Sequence, residues 1–324
     1  MISNYILITL VGGMALSFLL ADPPNRIHPV SWLGKLVNYF MPKLKHKSSL
    51  KKERLKGIVF TLTLTIGISV ASYYFSVALY KIFGIFALLI YSLLVLKFTM
   101  AILTLERHVN AVTNALQEKN LIDARKKLSY IVGRKTEPLD REHIISATIE
   151  SIGESVVDGI GSPLFYYSLF GPSGAIAYRI INTLDSMIGY TDKYHYEIGW
   201  MAAKLDTISN YLPARLCGLL LVVSAKIVGA DWKNSILVMR MDHNNTPSRN
   251  GGYPMSALAG ALRVRLEKVG FYVLGANIEP LSIEKCNNAL RMVKLSVILF
   301  LVFISIPMVL LLSLIGWWDI LYGF

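Results

Sequence analysis

The sequence predicts an all-α integral membrane protein of about four transmembrane helices, a re-entrant or broken helix, and amphipathic helices facing the cytoplasm. Three observations carry this. Hydrophobic residues fill 54% of the 324 positions, charged residues fill 17%, and the mean hydropathy is +0.49, which is too apolar for an ordinary soluble protein. Several stretches of about twenty residues carry little or no charge, the length needed to cross a bilayer. The formal charge of +12 is concentrated beside these stretches rather than alternating with exposed aromatics, which favours anionic lipid and anionic substrates as partners and excludes nucleic acid. Nothing repeats, so the chain reads as one domain, 1–324. Cys217 and Cys286 fit neither a metal spacing nor a disulfide framework.

Taken in order, residues 2–21 carry no charge and form a first span, with no basic residues before them to mark a cleaved signal. The loop to residue 56 carries Arg26, Lys35, Lys43, Lys45, Lys47, Lys51, Lys52, Arg54 and Lys56, so the positive-inside rule places it in the cytoplasm and the N-terminus outside. Residues 57–80 form a second span, Lys81 and Gly84 a tight turn, and 84–105 a third span whose Lys97 either snorkels or faces the bundle interior. From Glu106 to His143, apolar residues at helical spacing predict cytoplasmic amphipathic helices broken near Gly133 and Pro138. Residues 159–178 lack charge but hold four glycines and two prolines, a poor continuous helix, and read as a re-entrant or broken helix lining a site. Leu216–Ala225 is too short a run for a span and reads as a buried or interfacial helix, which keeps 230–292 in a cytoplasmic loop. The last span is 295–318, ending in Trp317, Trp318 and Tyr322 as an interfacial aromatic belt, with the C-terminus outside. The region 106–292 then forms a cytoplasmic-facing site.

The polar motifs lie in 147–215. Glu150, Glu154 and Asp158 are four apart and stack on one helix face; Asn182 with Asp185, and Asp206 with Asn210, share faces in the same way. The bland explanation is a solvated acidic face. Among membrane-grade segments, where ionisable residues are costly, the pattern instead suits a hard cation such as Mg²⁺. Gly133-Arg134 is either a phosphate contact or a common helix end. Asn250-Gly251-Gly252 precedes an alanine-rich helix whose free N–H groups could take an anion. His28 beside Pro29 is, on spacing alone, a structural residue.

These blocks together resemble one family. DPPNRIHPV, LSYIVGR, ATIESIGESVVDG with PLFY, AYRIINTLDSMIGY, KLDTISNYLPARL and NGGYPMSALAGAL with YVLG follow the order seen in adenosylcobinamide-phosphate synthases, nearly end to end. The chain departs from that pattern at Lys135, Ser155, Thr207 and Arg249, yet keeps Glu150, Glu154, Asp158, Asp185 and Asp206. The resemblance implies a multi-pass cell-membrane enzyme, active site facing the cytoplasm. It joins (R)-1-amino-2-propanol, or its O-phosphate, to adenosylcobyric acid by ATP-dependent amide ligation. On this basis Glu150, Glu154, Asp158 and Asp185 bind Mg²⁺, and one of them or Asp206 takes the amine proton. Arg134, Arg179, Lys204, Arg215 and Arg249 hold phosphates, and His28, Asn182, Asn210, Ser248, Asn250 and Tyr253 contact substrate. The implied partners are the corrinoid, the amine, membrane lipid and other membrane enzymes of the corrinoid pathway. Two alternatives remain open from the residues: an intramembrane Mg-diphosphate prenyltransferase, and a non-catalytic regulatory protein.

Overall fold

The computed structural model describes residues 2–24, 26–45 and 49–322, so Lys47 of the basic loop lies outside the described residues. In chain order the helices are α1 (Ile2–Leu19), α2 (Pro29–Lys45), α3 (Leu50–Thr99), α4 (Ile102–Gln117), α5 (Leu121–Leu128), α6 (Arg141–Val156) and α7 (Ser162–Ile188). They continue with α8 (Trp200–Ser209), α9 (Tyr211–Ile227), α10 (Trp232–Asp242), α11 (Arg249–Leu262), α12 (Ile283–Phe300), α13 (Ile306–Leu314) and α14 (Trp317–Tyr322). π-Helical turns at Val157–Gly161 and Leu301–Ser305 link α6 to α7 and α12 to α13. Among the described residues the fold is all-α apart from one small antiparallel hairpin, β1 (Leu266–Lys268) and β2 (Tyr272–Leu274), pairing Lys268 with Tyr272. The expected loop 230–292 is therefore largely built from α10, α11, this hairpin and the start of α12. Two stretches, Leu50–Gln117 and Ile283–Leu314, are long and apolar enough to cross a membrane, and the bent pair α8 and α9 makes a third if it counts as one span.

The chain divides into two compact units. The first comprises residues up to Ala101, Ser162–Asn210, and the chain from Phe303. Two glycines with positive φ organise it. At Gly84 (φ 77°) α3 folds back on itself: the Ser72 and Tyr91 hydroxyls meet at 2.8 Å and the Phe75 and Tyr91 rings at 5.1 Å. Nineteen residues of straight helix would separate the first pair by about 28 Å. The expected spans 57–80 and 84–105 are thus arms of one helical hairpin. At Gly171 (φ 64°), followed by Pro172, α7 does the same, and Tyr166 stacks on Tyr178 at 5.5 Å. A Cβ on Gly174 would lie 2.2 Å from the Tyr166 carbonyl oxygen, so only glycine lets the arms close. The arm before the break is nine residues, about 13 Å, too short to cross a bilayer by itself.

The C-terminal aromatics are corrected by the structure. The helix ends at Leu314, Gly316 (φ 69°) turns the chain back, and Trp318 and Tyr322 are buried rather than displayed as a belt. Breaking α7 leaves carbonyls without helical partners, and the aromatics satisfy them: the Trp317 indole donates to the Leu169 carbonyl at 2.7 Å and the Tyr322 hydroxyl to that of Phe170 at 3.4 Å. Lys97 faces the interior, where it pairs with Asp22 at 2.5 Å. A core of Val37, Met41, Ile180, Leu184, Ile188, Ile198 and Ala202 holds α2, α7 and α8 together.

The second unit is Ile102–Gly161 with Tyr211–Val302, built around α6. Ile144, Ile145, Ile149 and Ile152 are fully buried, each contributing roughly 1.5–3 kcal/mol. Its helices start at side-chain caps: Asn120, Asp140, Asp231, Ser248 and Ser282 each accept from a backbone N–H three residues on. Small residues bring α10 and α11 into contact, since a Cβ on Gly260 would sit 2.5 Å from the Asn234 carbonyl oxygen. The break expected near Gly133 and Pro138 lies between α5 and α6.

Candidate active site

The acidic residues separate into two groups, one in each unit. In the second, Glu150 is buried and fully engaged. Its Oε1 accepts from the Arg134 guanidinium at 3.1 Å and from the Ser146 hydroxyl at 2.8 Å, and its Oε2 accepts from the Tyr272 hydroxyl at 2.7 Å. Ser146 also accepts the Glu267 N–H at 2.8 Å, which ties the β-hairpin to α6. Glu154, one turn on, is exposed overall while its carboxyl lies against the crowded rim of a recess of about 50 Å³ lined by Gly133, Arg134, Lys268 and Tyr272. Burial and then the Glu150 charge push its carboxyl above the ordinary range, against the pull of Lys268 and Arg134. The recess has room for a water or a small cation, so a larger anion would stay at its rim.

Asp158 lies where the helix switches to π geometry, from Val157 to Gly161, rather than in the regular α-helical turn that carries Glu150 and Glu154. Among the described residues no group of three His, Cys, Asp or Glu side chains converges on a metal position. The expected ligand set of Glu150, Glu154, Asp158 and Asp185 is therefore not assembled within either unit, and Glu150 has its oxygens occupied.

At the edge of the same recess α11 begins. Ser248 caps it, accepting from the Gly251 N–H at 3.4 Å, and Arg249 is exposed while Asn250 is buried. A Cβ on Gly251 would lie 3.7 Å from the Glu154 Cγ, and one on Gly252 only 2.0 Å from the His243 carbonyl oxygen, so the glycine pair marks close packing against α6 and α10. Tyr253 lies against the His243 ring at 4.3 Å, and the Arg215 guanidinium is 3.4 Å from the Tyr211 ring centroid and 4.6 Å from that of Tyr253.

In the first unit, α7 presents Arg179, Asn182 and Asp185 three apart on one face, with the Arg179 guanidinium donating to the Asn182 side-chain oxygen at 3.4 Å. From α8, Asp206 Oδ2 accepts from the Asn210 amide at 3.0 Å, and Asn182 bonds to the same carboxylate. Asn210 is buried, and its oxygen takes the hydroxyls of Ser162 at 2.6 Å and Tyr178 at 2.9 Å. Asp206 Oδ1 is buried with no hydrogen-bond partner among the described residues. Burial, and secondarily the Asp206 charge, push Asp185 up to about 7. Lys204 is exposed on α8. His28 caps α2, its Nδ1 accepting the Val30 N–H at 3.2 Å, and burial holds it below its usual range, with Arg179 and Lys97 adding to the effect and Asp22 opposing it.

Tyr272, Lys268 and Ser146 are the residues that the sequence motifs did not single out. A usable signal was present: Val269-Gly270-Phe271 ahead of the β-prone Tyr272-Val273-Leu274 is a three-residue hairpin loop, with Gly270 at φ 77°.

Comparison with known proteins bears on this arrangement. The family model described as CobD/Cbib protein matches residues 10–302. A probable cobalamin biosynthesis protein CobD of Methanothermobacter thermautotrophicus is 38% identical over 290 residues, covering 89% of this chain and 93% of that one. One of Methanococcus maripaludis is 37% identical over 302 residues, covering 89% and 94%. The cobalamin biosynthesis protein CobD of Dehalococcoides mccartyi is 33% identical over 291 residues, covering 88% and 94%. No solved structure matches.

Proposed function

The chain belongs to the CobD/Cbib family, and on that premise we propose that it is an adenosylcobinamide-phosphate synthase, forming its product from adenosylcobyric acid and aminopropanol phosphate. The match from residue 10 to residue 302, through every block that carries an acidic motif, is the observation that supports this most. The enzyme sits in the membrane with the α3 hairpin contributing two crossings, α1 and the Ile283–Leu314 helix one each, and its site toward the cytoplasm.

An amide forms from a carboxylate only after one oxygen becomes a leaving group, so the reaction is coupled to ATP: the corrinoid carboxylate takes a phosphoryl group, and the amine nitrogen then displaces phosphate. The row Arg179, Asn182, Asp185 and Asp206 suits the amine substrate. Arg179 pairs with its phosphate, and Asp206 Oδ1, buried and unpartnered, accepts the proton the attacking amine must lose. The second unit's basic groups, Arg134 and Lys268, suit the nucleotide phosphates, with Arg215 and Arg249 as further cations. Mg²⁺ fits the residues present as an ion held by Glu154 and phosphate oxygens, since one or two carboxylates are its usual protein share. It neutralises phosphate charge when bound. Glu150 acts as the pin that fixes Arg134 and the hairpin.

The test incubates detergent-purified protein with adenosylcobyric acid, Mg-ATP and either aminopropanol or its phosphate, and reads the corrinoid mass. The expected result is an ATP-dependent mass gain equal to the amide, larger with the phosphate ester. Folded protein that gives no product with either amine would overturn the reading and favour a regulatory role.

A further inference from the structure

We infer that the first unit carries a binding site for an anionic phospholipid, with one acyl chain in an apolar groove beside α2 and the headgroup on the cationic segment that α2 opens. The groove has a volume of about 620 Å³, within the range of small-molecule sites. Its walls are Leu33 and Leu36 of α2, Leu94 and Phe98 of the second arm of α3, and Ile176 and Ile180 of α7.

Two observations say what fills it. The groove opens at Leu94 onto a face of the α3 hairpin where Phe83, Phe86 and Ile90 are also exposed, inside a stretch apolar enough to cross a membrane, so the medium at its mouth is hydrocarbon. The chain beside it is strongly cationic: residues 23–56 hold nine Lys and Arg against one acid, Glu53, which Lys45 already pairs. α2 has the form of a helix lying at an interface. Val37 and Met41 point inward, Trp32, Tyr39 and Phe40 point outward, and Lys35, Lys43 and Lys45 stand among them, with the Lys43 ammonium 3.5 Å over the Tyr39 ring. Trp32 lines the groove while its indole N–H donates to the Arg26 carbonyl at 2.8 Å, leaving the ring face for a lipid chain. The apolar walls take the acyl chain, and the cations of α2, with Arg179 in the groove lining, select a lipid with a negative headgroup over a neutral one.

The experiment places the protein in nanodiscs of phosphatidylcholine or phosphatidylglycerol with brominated acyl chains and takes Trp32 quenching as the difference between wild type and Trp32→Phe. The anionic lipid is expected to quench Trp32 more strongly, and Lys35→Glu to weaken that preference about fivefold or more. Ile176→Phe, which fills the groove, is expected to remove the quenching with an unchanged melting temperature. Equal quenching by both lipids, or a preference untouched by Lys35→Glu, would overturn the proposal, and these two arms decide it even if Ile176→Phe fails to fold. Neither readout depends on the ligase reaction, so this site and the proposed activity fail separately.

Discussion

Glu150 and Asp206 are both acidic residues on helices of an apolar protein, and their surroundings are opposite. Glu150 has hydrogen bonds on both oxygens, from an arginine, a serine and a tyrosine, and the tyrosine arrives from 122 residues away. Asp206 takes the side-chain amides of Asn210 and Asn182, yet its Oδ1 stays buried without a partner among the described residues. A carboxylate whose acceptor sites are filled holds structure together. One left short of donors in a buried setting is poised to receive a proton or a cation, because a buried polar atom without a hydrogen bond carries an unrelieved desolvation cost. The lesson is that in this protein burial alone does not separate a catalytic acid from a structural one; the count of donors does.

The sharpest way to break the comparison is Asp206→Ala, expected to lower the rate of amide formation by about 10²–10⁴-fold with little loss of stability. A variant that turns over normally would remove Asp206 from the proton path. Glu150→Ala is expected to do the reverse, destabilising the second unit by about 2–4 kcal/mol in chemical denaturation, because the half-buried Arg134 loses its partner and the Ser146 and Tyr272 hydroxyls lose their acceptor. Tyr272→Phe removes a single donor from the same carboxylate and is expected to cost about 1–3 kcal/mol. If Glu150→Ala left stability intact but stopped the reaction, the structural assignment of Glu150 would be wrong.

A third test concerns pH. With Asp185 raised to about 7, the folded state binds a proton that the unfolded chain has already released, so this residue costs stability progressively as pH rises from about 4 to 7 and at a constant level above. Asp185→Asn is accordingly expected to raise the melting temperature at pH 8 and leave it nearly unchanged at pH 4. A gain equal at both values would show that the carboxyl is not displaced. In the wild type, any step that needs Asp185 ionised speeds up as pH passes through about 7.

Much was legible without coordinates where the cause is local. Charge-free runs, the glycine at 84 and the glycine-proline pair at 171–172 act through backbone geometry within a few residues, so the α3 hairpin and the broken α7 could be read directly. The family was legible too, because its blocks are contiguous. Helical spacing correctly put Asn182 with Asp185 and Asp206 with Asn210 on shared faces. It gave no sign of the π turn that holds Asp158, because such a turn is not announced by residue type.

What the sequence by itself determined is therefore which segments are apolar helices, where they break, and which side chains share a face, all set by steric and solvation rules acting over one or two turns. Which faces meet was decided only in the tertiary structure. That Tyr272 closes on Glu150, that Trp317 and Tyr322 cap the carbonyls of α7, and that the acids divide between two units all depend on packing between residues more than a hundred positions apart, or on which unit a helix joins. Periodicity carries no record of such distances, since a helix face is defined by its own axis and the partner it meets by the shape of the whole core.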